Sequence, residues 1–456
     1  MIFTQYYLDC LSQASYLIGD ETTGRAVVVD PRRDVEEYLA DAQEQGLTIE
    51  GVILTHFHAD FVSGHLELAR ATGAWIGMGD AADPEFTAQP LQDGERIDLG
   101  EVVLEIMSTP GHTPESISVI VHEHPDDAVP HSVLTGDCLF IGDVGRPDLL
   151  ASVGVSQEEL AAMLHDSVQN KLMSLPDETK VFPAHGAGSA CGKNLSTEKS
   201  STIGNQRMMN YAAVPMPQEK FIALVTEGQP TAPAYFSHDA RINKENRPVR
   251  DPGATVPALD EEALQQAVAD GAIILDTRDP MDFAAGHLAG SINVGFSGRL
   301  AETAGMLLSP DQPFIIVADP GEEHASATRM MRIGFDNCVG HLPDVAGHLT
   351  EHPHRARRLS RLTASEMFTA LENDQVQLVD VRNAGELDNG RVEGAHHIPL
   401  AQLTKRCAEL DPARPVVLHC AGGYRSAAGA SWLMSRGFTD VSDVLGGYGA
   451  IDLIAV

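Results

Sequence analysis

The 456-residue sequence predicts an α/β protein of several domains. Three observations carry this. Short apolar runs alternate with amphipathic stretches of helical period. Histidine and aspartate repeatedly stand where an apolar run stops, which is where layered α/β folds place their chemistry. A pattern of roughly a hundred residues occurs twice in the second half, a whole-domain repeat and not a solenoid period. A chain of this length exceeds one ordinary core, so roughly two to three domains are expected.

In order, Arg25–Asp30 reads as a strand ending in Asp30. Val35–Gln45 has helical spacing, with Gly46 as its stop. Gly51–Leu54 is a buried strand, and Val102–Met107, Ser116–Val121 and Pro130–Leu134 are further strands. Glu158–Met173 is helical by period, and Lys180–Pro183 is a strand that delivers Ala184-His185-Gly186. From Gln206 to Pro257 the sequence is irregular and rich in Pro, Asn and Arg, and reads as a last helix followed by a linker. Then come the two repeats. Ala272-Ile-Ile-Leu-Asp-Thr-Arg278 in the first corresponds to Gln377-Leu-Val-Asp-Val-Arg382 in the second. Each has a second apolar strand, Pro313–Val317 or Pro415–Leu418, with a helix behind it. Such alternation implies parallel sheets flanked by helices. The expected domains are 1–245, 255–352 and 360–456.

Hydrophobic content of 43% suits a globular protein. A formal net charge of −34 argues against nucleic acid or an anionic membrane as partner, because the overall field repels phosphate. A small anionic substrate would then need a local basic pocket. The six cysteines lack the spacing of a disulfide scaffold, no signal peptide stands at the N-terminus, and no run is long enough to span a bilayer. A reducing cytoplasm is the expected compartment.

The stretch Thr55-His56-Phe57-His58-Ala59-Asp60 packs three metal-binding side chains into five residues directly after a strand. Pro110-Gly111-His112-Thr113 offers another imidazole at a tight turn, and Leu134-Thr135-Gly136-Asp137 a carboxylate at a strand end. His56, His112 and Asp137 make two imidazoles and one carboxylate. That set leaves coordination positions open and suits a mononuclear Fe(II); zinc accepts the same ligands. His58, Asp60 and His185 are read first as groups that orient ligands or water, with direct ligation as the alternative. His65 reads as an ordinary polar residue on the following helix, and His122 with His124 as a solvated turn.

These motifs, with Pro183-Ala184-His185-Gly186, resemble the successive motifs of the metallo-β-lactamase fold over about the first 245 residues. The implied architecture is an αββα sandwich. In hydrolytic members the first motif continues Asp-His and holds a second metal; here Phe61 follows Asp60. Among subfamilies the chain resembles the persulfide dioxygenases, whose iron ligands map onto His56, His112 and Asp137; those single-domain enzymes usually keep a histidine at the Phe61 position, a departure that leaves the ligands untouched. That implies one Fe(II) per chain, O2 as co-substrate and a low-molecular-weight persulfide of glutathione or coenzyme A type. Gly145-Arg146-Pro147-Asp148 resembles their substrate-side loop, where Arg146 would hold a carboxylate of the thiol carrier or serve as a salt-bridge partner.

The second signal is Val416-Val-Leu-His-Cys420-Ala-Gly-Gly-Tyr-Arg-Ser426. A strand ends at Cys420, Gly422 and Gly423 let the backbone curl, and a helix starts near Ser426. Amides in such a curl favour a thiolate. Gly422, Gly423 and Ser426 are expected to line the cradle, and Arg425 to meet an incoming anion. Four residues separate Cys420 from Arg425, a small loop that suits sulfane sulfur rather than phosphate. With Asp380-Val-Arg382 and Gly394-Ala-His-His-Ile-Pro399, residues 360–456 resemble a rhodanese domain. In the middle repeat Asp319 stands where the cysteine belongs, which implies a rhodanese-like domain without sulfur transfer. Cys191 lies in a glycine-rich loop after His185. It reads either as a persulfide relay at the pocket mouth, with Lys193 binding a substrate carboxylate, or as a buried small hydrophobe. Cys138 and Cys338 read as packing residues; Cys10 and Cys407 carry no pattern.

The order of domains resembles the persulfide dioxygenase–sulfurtransferase fusions. It implies oxidation of a persulfide to sulfite plus thiol, coupled to exchange of sulfur among persulfide, sulfite and thiosulfate at Cys420. A homo-oligomer is expected. The alternatives are a zinc thioester hydrolase with an appended sulfurtransferase, and a non-enzymatic persulfide carrier or sensor that uses Cys420 alone.

Overall fold

The computed structural model describes residues 1–149, 155–229, 231–249 and 255–454. The chain divides into two compact units: Met1–Pro230 with Phe236–Pro252, and Thr231–Tyr235 with Gly253–Val456.

The first unit holds two six-stranded sheets. One runs β1 (Ile2–Leu8), β2 (Gln13–Gly19), β3 (Arg25–Val29), β4 (Thr48–Ile53), β5 (Trp75–Gly79), β6 (Gln89–Leu91). The other contains β7 (Arg96–Asp98), β8 (Val103–Ser108), β9 (Ile117–His122), β10 (Ser132–Gly136), β11 (Lys180–Pro183) and β12 (Ser201–Thr202), also in chain order. Helices α1 (Glu36–Glu44) and α2 (His65–Thr72) flank the first sheet. Helices α3 (Gln157–Asp166), α4 (Ile203–Met209) and α5 (Gln218–Thr226) accompany the second, and α6 (Phe236–Ile242) closes the unit.

Alternation along the strands explains the layers. Val27 and Val29 of β3 join Leu104, Val119 and Leu134 in a core shared by both sheets, while Val28 points the other way to Tyr38 and Ala42 of α1. Val133 and Val181 pack outward on Leu164 and Phe221 of α3 and α5. The helix expected over Glu158–Met173 starts at a Ser156/Glu159 capping box, but after Asp166 it widens into a π-helical turn, Ser167–Lys171, and ends in a 3-10 turn.

The expected linker needs correction. Gln206–Pro257 carries α5 and α6, and the residues after α6 bind back into the first unit. Arg247 pairs with Glu67 at 2.6 and 2.8 Å, and Asn243 Nδ2 donates to His58 O and Phe61 O, both at 2.8 Å. Prolines and short helices hide the periodicity. The stretch 250–254 of that segment lies outside the described residues, as do 455–456.

The second unit contains two parallel sheets. The four-stranded one is ordered Ile292–Asn293, Ile273–Asp276, Phe314–Val317, Cys338–Leu342. The five-stranded one is ordered Ser360–Leu362, Val441–Val444, Val416–His419, Gln377–Asp380, His396–His397. In the latter, the connection after Gln377–Asp380 leads to the strand on one side, His396–His397, and that after Val416–His419 to the strand on the other, Val441–Val444. The chain reverses direction between these two strands, so their carboxyl ends form the crevice in which such sheets bind ligands. No helix among the described residues is long and apolar enough to cross a membrane.

Candidate metal centre and sulfur-transfer loop

Register brings the metal motifs together. β3 and β4 are parallel with Val29 opposite Ile53, so Asp30 and Thr55-His56 leave the first sheet side by side. β10 and β11 are parallel with Gly136 opposite Pro183, so Asp137 and His185 leave the second sheet together. His112 sits in the turn between β8 and β9, which pair as far as Ser108 opposite Ile117. Two backbone positions are special. Gly136 has φ +51°, with Thr55 Oγ1 where a side chain would begin. Asp30 has φ +52°, a conformation that short polar residues tolerate.

Three imidazoles are fixed through Nδ1 and present Nε2 inward. Thr55 Oγ1 donates to Asp30 Oδ2 at 2.8 Å, so it accepts from His56 Nδ1 at 3.0 Å. His112 Nδ1 donates to Arg146 O at 2.9 Å, and His185 Nδ1 to Ser12 O at 3.1 Å. Their Nε2 atoms lie 3.9, 3.5 and 3.5 Å from the Asp137 carboxylate. Asp137 is buried, and neither of its oxygens has a hydrogen-bond partner among the described residues. Burial, then the neighbouring His58 and His112, push His56 well below its ordinary value, so its imidazole is neutral. A neutral His56, three imidazoles tethered at Nδ1 and an unpartnered buried carboxylate are the donor chemistry of a metal site. The residues present therefore fit the expected ion. His56, His112 and Asp137 form one triad of donors; His58, Asp60 and His185 form a second beside it.

His58 turns Nε2 to Asp30 Oδ1 at 3.0 Å, and burial notwithstanding, Asp30 holds its value raised. His185 Nε2 stands 3.3 Å from Asp60 Oδ2, and burial pushes the Asp60 carboxyl up. Phe61 is buried with its ring 4.3 Å from that of His58.

Several expected roles change. Arg146 is buried and spent on Asp148, through bonds of 2.7 Å from both Nε and Nη2, with Nη1 on Ala190 O. Of the two roles expected for it, the pairing with Asp148 is the salt-bridge one, and it holds a loop. Lys193 Nζ donates to Leu224 O and Glu227 O at the end of α5, which satisfies carbonyls a helix leaves unpaired. Cys191 lies inside the site and not at its mouth: it is 1% exposed, and its thiol falls in a group with Asp137 and His185. Burial, then Asp60 and Asp137, push that thiol well above its ordinary value. The loop is pinned there by Arg146 N on Cys191 O and by Asp143, whose Oδ2 accepts from the amides of Lys193 and Asn194. His65 is buried at the start of α2, bonded to Ser63. His122 ends β9 and faces Glu105 at 3.3 Å, so only His124 is solvated.

Sequence reasoning missed Asp30, Asn243 and Ser12. Asp30 is visible as a polar residue closing an apolar strand, but Asn243 and Ser12 act from far along the chain and leave no local signal.

In the second unit, Cys420 follows the strand Val416–His419 and precedes the helix Tyr424–Ser435. Gly423 has φ +99°, a turn that aims its N–H at Cys420 Sγ at 3.1 Å; Ser426 Oγ is 3.6 Å from the sulfur. Gly422 adds only an open backbone position. Tyr448 N and Gly449 N donate to Cys420 O and Ala421 O and hold the loop down. Arg425 pairs with Glu386 at 2.6 and 2.7 Å, so its charge is already matched. In the middle repeat the expected placement needs correction: Asp276 pairs with Val317 as Asp380 pairs with His419, so Ala318, and not Asp319, stands at the cysteine position, with exposed Asp319 one residue further on.

Two family models match this chain: the metallo-beta-lactamase superfamily over residues 8–185, and the rhodanese-like domain over 260–344 and 363–452. The mitochondrial persulfide dioxygenase ETHE1 of Homo sapiens is 30% identical over 197 residues, which is 42% of this chain and 70% of that one. The beta-lactamase hydrolase-like protein of Xylella fastidiosa (strain 9a5c) is 29% identical over 266 residues, 51% of this chain; the match spans only 57% of that relative's length. Among solved structures, a metallo-beta-lactamase from Staphylococcus aureus subsp. aureus COL matches with TM-score 0.66 at 32% identity, over 75% of this chain and 99% of that chain. The chain therefore belongs to the metallo-β-lactamase superfamily, in the fusion type whose metallo-β-lactamase domain, related to the persulfide dioxygenases, is followed by two rhodanese-like domains.

Proposed function

We propose that the protein is an iron-dependent persulfide dioxygenase coupled to a sulfurtransferase, with domains 1–245, 255–352 and 360–456. The observation that carries this reading is the triad His56, His112 and Asp137, whose two tethered imidazoles and orphaned carboxylate leave much of the coordination sphere open. One Fe(II) held there would supply the redox chemistry that joins O2 to sulfane sulfur. The net reaction balances as RSSH + O2 + H2O giving RSH + sulfite + two protons, where R is a glutathione- or coenzyme A-type carrier.

The residues around the triad support the role. Asp30 and Thr55 set the tautomer of His56, and the Arg146 carbonyl sets that of His112. Phe61 departs from hydrolytic relatives and single-domain persulfide dioxygenases alike, which keep a histidine there; it leaves the triad untouched and adds an apolar wall. His58, Asp60 and His185 orient the shell and bind water. The Cys191 thiol, beside Asp137 and His185, is placed to meet a sulfur substrate. In the last domain the Cys420 thiolate attacks the outer sulfur of a persulfide, and RSH leaves with the proton. Sulfite then takes that sulfur as thiosulfate and restores the thiolate. Gly423 N–H stabilises the sulfur anion on both sides of the exchange.

The test is anaerobic metal analysis beside O2 uptake with glutathione persulfide. One iron per chain and one O2 consumed per sulfite support the reading. A zinc-filled protein that cleaves thioesters and takes up no O2 refutes it in favour of a hydrolase, which the second donor group His58, Asp60 and His185 would serve. His112→Ala separates a carrier from an enzyme: the enzyme loses sulfite output, whereas a carrier relying on Cys420 does not.

A further inference from the structure

The middle domain lacks a cysteine on its loop, yet it carries a donor cluster of its own. His348 and His352 lie four residues apart, on and just beyond the helix Val345–Glu351, and so share one face. Their Nε2 atoms are 3.4 and 3.9 Å from Glu261 Oε2, on the helix Glu261–Ala269. The two rings stand 4.6 Å apart by centroid. In a tetrahedral site with bonds of about 2.0–2.1 Å, donor atoms are roughly 3.3–3.4 Å from one another, so small rotations close the set. His348 is nine-tenths buried, and its Nε2 and Glu261 Oε2 are both buried without a hydrogen-bond partner. The other carboxylate oxygen is taken by Arg355 Nη1 at 3.1 Å and by the Gln265 amide, which turns Oε2 towards the imidazoles.

We propose that Glu261, His348 and His352 bind a divalent cation of the zinc class, separate from the oxygen-activating centre. Two imidazoles and one carboxylate, with a fourth position open to water, match that ion's preferences. The cation joins the first helix of the middle domain to its last. A domain without sulfur transfer then has a cross-brace that stiffens it as a scaffold.

The experiment compares full-length wild type with His348→Ala/His352→Ala and with Glu261→Gln. Each protein is stripped of metal, equilibrated with Zn2+ against a chromophoric chelator, and the bound equivalents are counted. The expected result is one equivalent fewer in the double variant. Glu261→Gln keeps its imidazoles and should bind that equivalent ~10–100-fold more weakly. Zn2+ should also raise the unfolding midpoint of the middle domain in wild type more than in the double variant. Equal counts and equal affinities in all three proteins would overturn the assignment, since the histidines would then be only a salt-bridge partner for Glu261.

Discussion

Removing one hydroxyl tests how the metal site is built. Thr55 Oγ1 donates a hydrogen bond to Asp30 Oδ2 at 2.8 Å and accepts one from His56 Nδ1 at 3.0 Å. Thr55→Val keeps the volume and deletes both bonds. Two buried polar atoms lose their partner, at ~1–3 kcal/mol each, although Asp30 Oδ1 keeps the Thr55 amide at 2.8 Å. The metal effect is separate. Without its acceptor, His56 loses its fixed tautomer and ring angle, and such losses cost ~10–100-fold in affinity, or about 1.4–2.7 kcal/mol. Anaerobic competition of Fe2+ against a chelator reads the second effect, and urea unfolding of the metal-free protein reads the first. Thr55→Ser retains the hydroxyl and should restore iron affinity to within about threefold. If Thr55→Val binds iron as wild type does while losing stability, the hydroxyl serves the fold alone. If Thr55→Ser falls as far as Thr55→Val, the lost methyl packing is responsible.

Four further outcomes are expected. Cys420→Ser should abolish thiosulfate formation and leave O2 uptake unchanged, so that sulfite accumulates; a fall in O2 uptake would contradict two separable sites. Phe61→His should raise metal content from one towards two per chain, measured by elemental analysis, because it restores a donor beside His58, Asp60 and His185; an unchanged content would show that the phenyl ring is not what limits the count. Glu386→Gln should lower KM for thiosulfate several-fold at Cys420 by releasing Arg425, and an unchanged or higher KM argues against it. His287 is stacked on Phe283 at 3.8 Å and burial lowers it to about 4. Between pH 6.5 and 4 the unfolded chain therefore binds a proton that the folded chain refuses, and stability falls as pH falls, by ~3 kcal/mol over the window. His287→Gln should flatten that slope in urea unfolding at stepped pH; parallel profiles would refute it.

Much of this was legible because strand ends announce themselves. His56, Asp137, His185 and Cys420 each follow an apolar run, and the folded chain puts each at a carboxyl end where parallel neighbours converge. What stayed hidden depends on contacts across long separations. Asn243 holds the backbone of the metal turn from a segment that looks like a linker, because a side-chain amide leaves no periodic trace. Charge is ambiguous in the same way. Lys193 reads as an anion binder, and Arg146 as either an anion binder or a salt-bridge partner, because they are cations in glycine-containing loops. Only the fold shows Asp148 and the α5 carbonyls already filling them. A charged residue in a sequence advertises a need for a partner without saying whether that partner is substrate or protein.

That question is sharpest at Cys420, in a chain carrying a net charge of −34. Three arginines surround the loop, and each has a carboxylate: Arg361 with Asp443, Arg382 with Asp380, Arg425 with Glu386. They are not equivalent. Arg382 and Asp380 are each 2% exposed, and breaking such a buried pair costs ~3–5 kcal/mol, so it is part of the fold. Arg425 and Glu386 are 23% and 31% exposed, so their bidentate pair is less enclosed and opening it leaves neither charge cut off from water. An arriving dianion can outbid that carboxylate for the guanidinium, whereas a persulfide sulfur needs only the Gly423 amide already aimed at Sγ. In the proposed exchange the loop would take sulfur from a weakly charged donor without rearrangement. It would recruit the Arg425 guanidinium only when sulfite or thiosulfate enters, so the Arg425–Glu386 pair, and not the cradle of amides, would decide which sulfur species is handled at each half of the exchange.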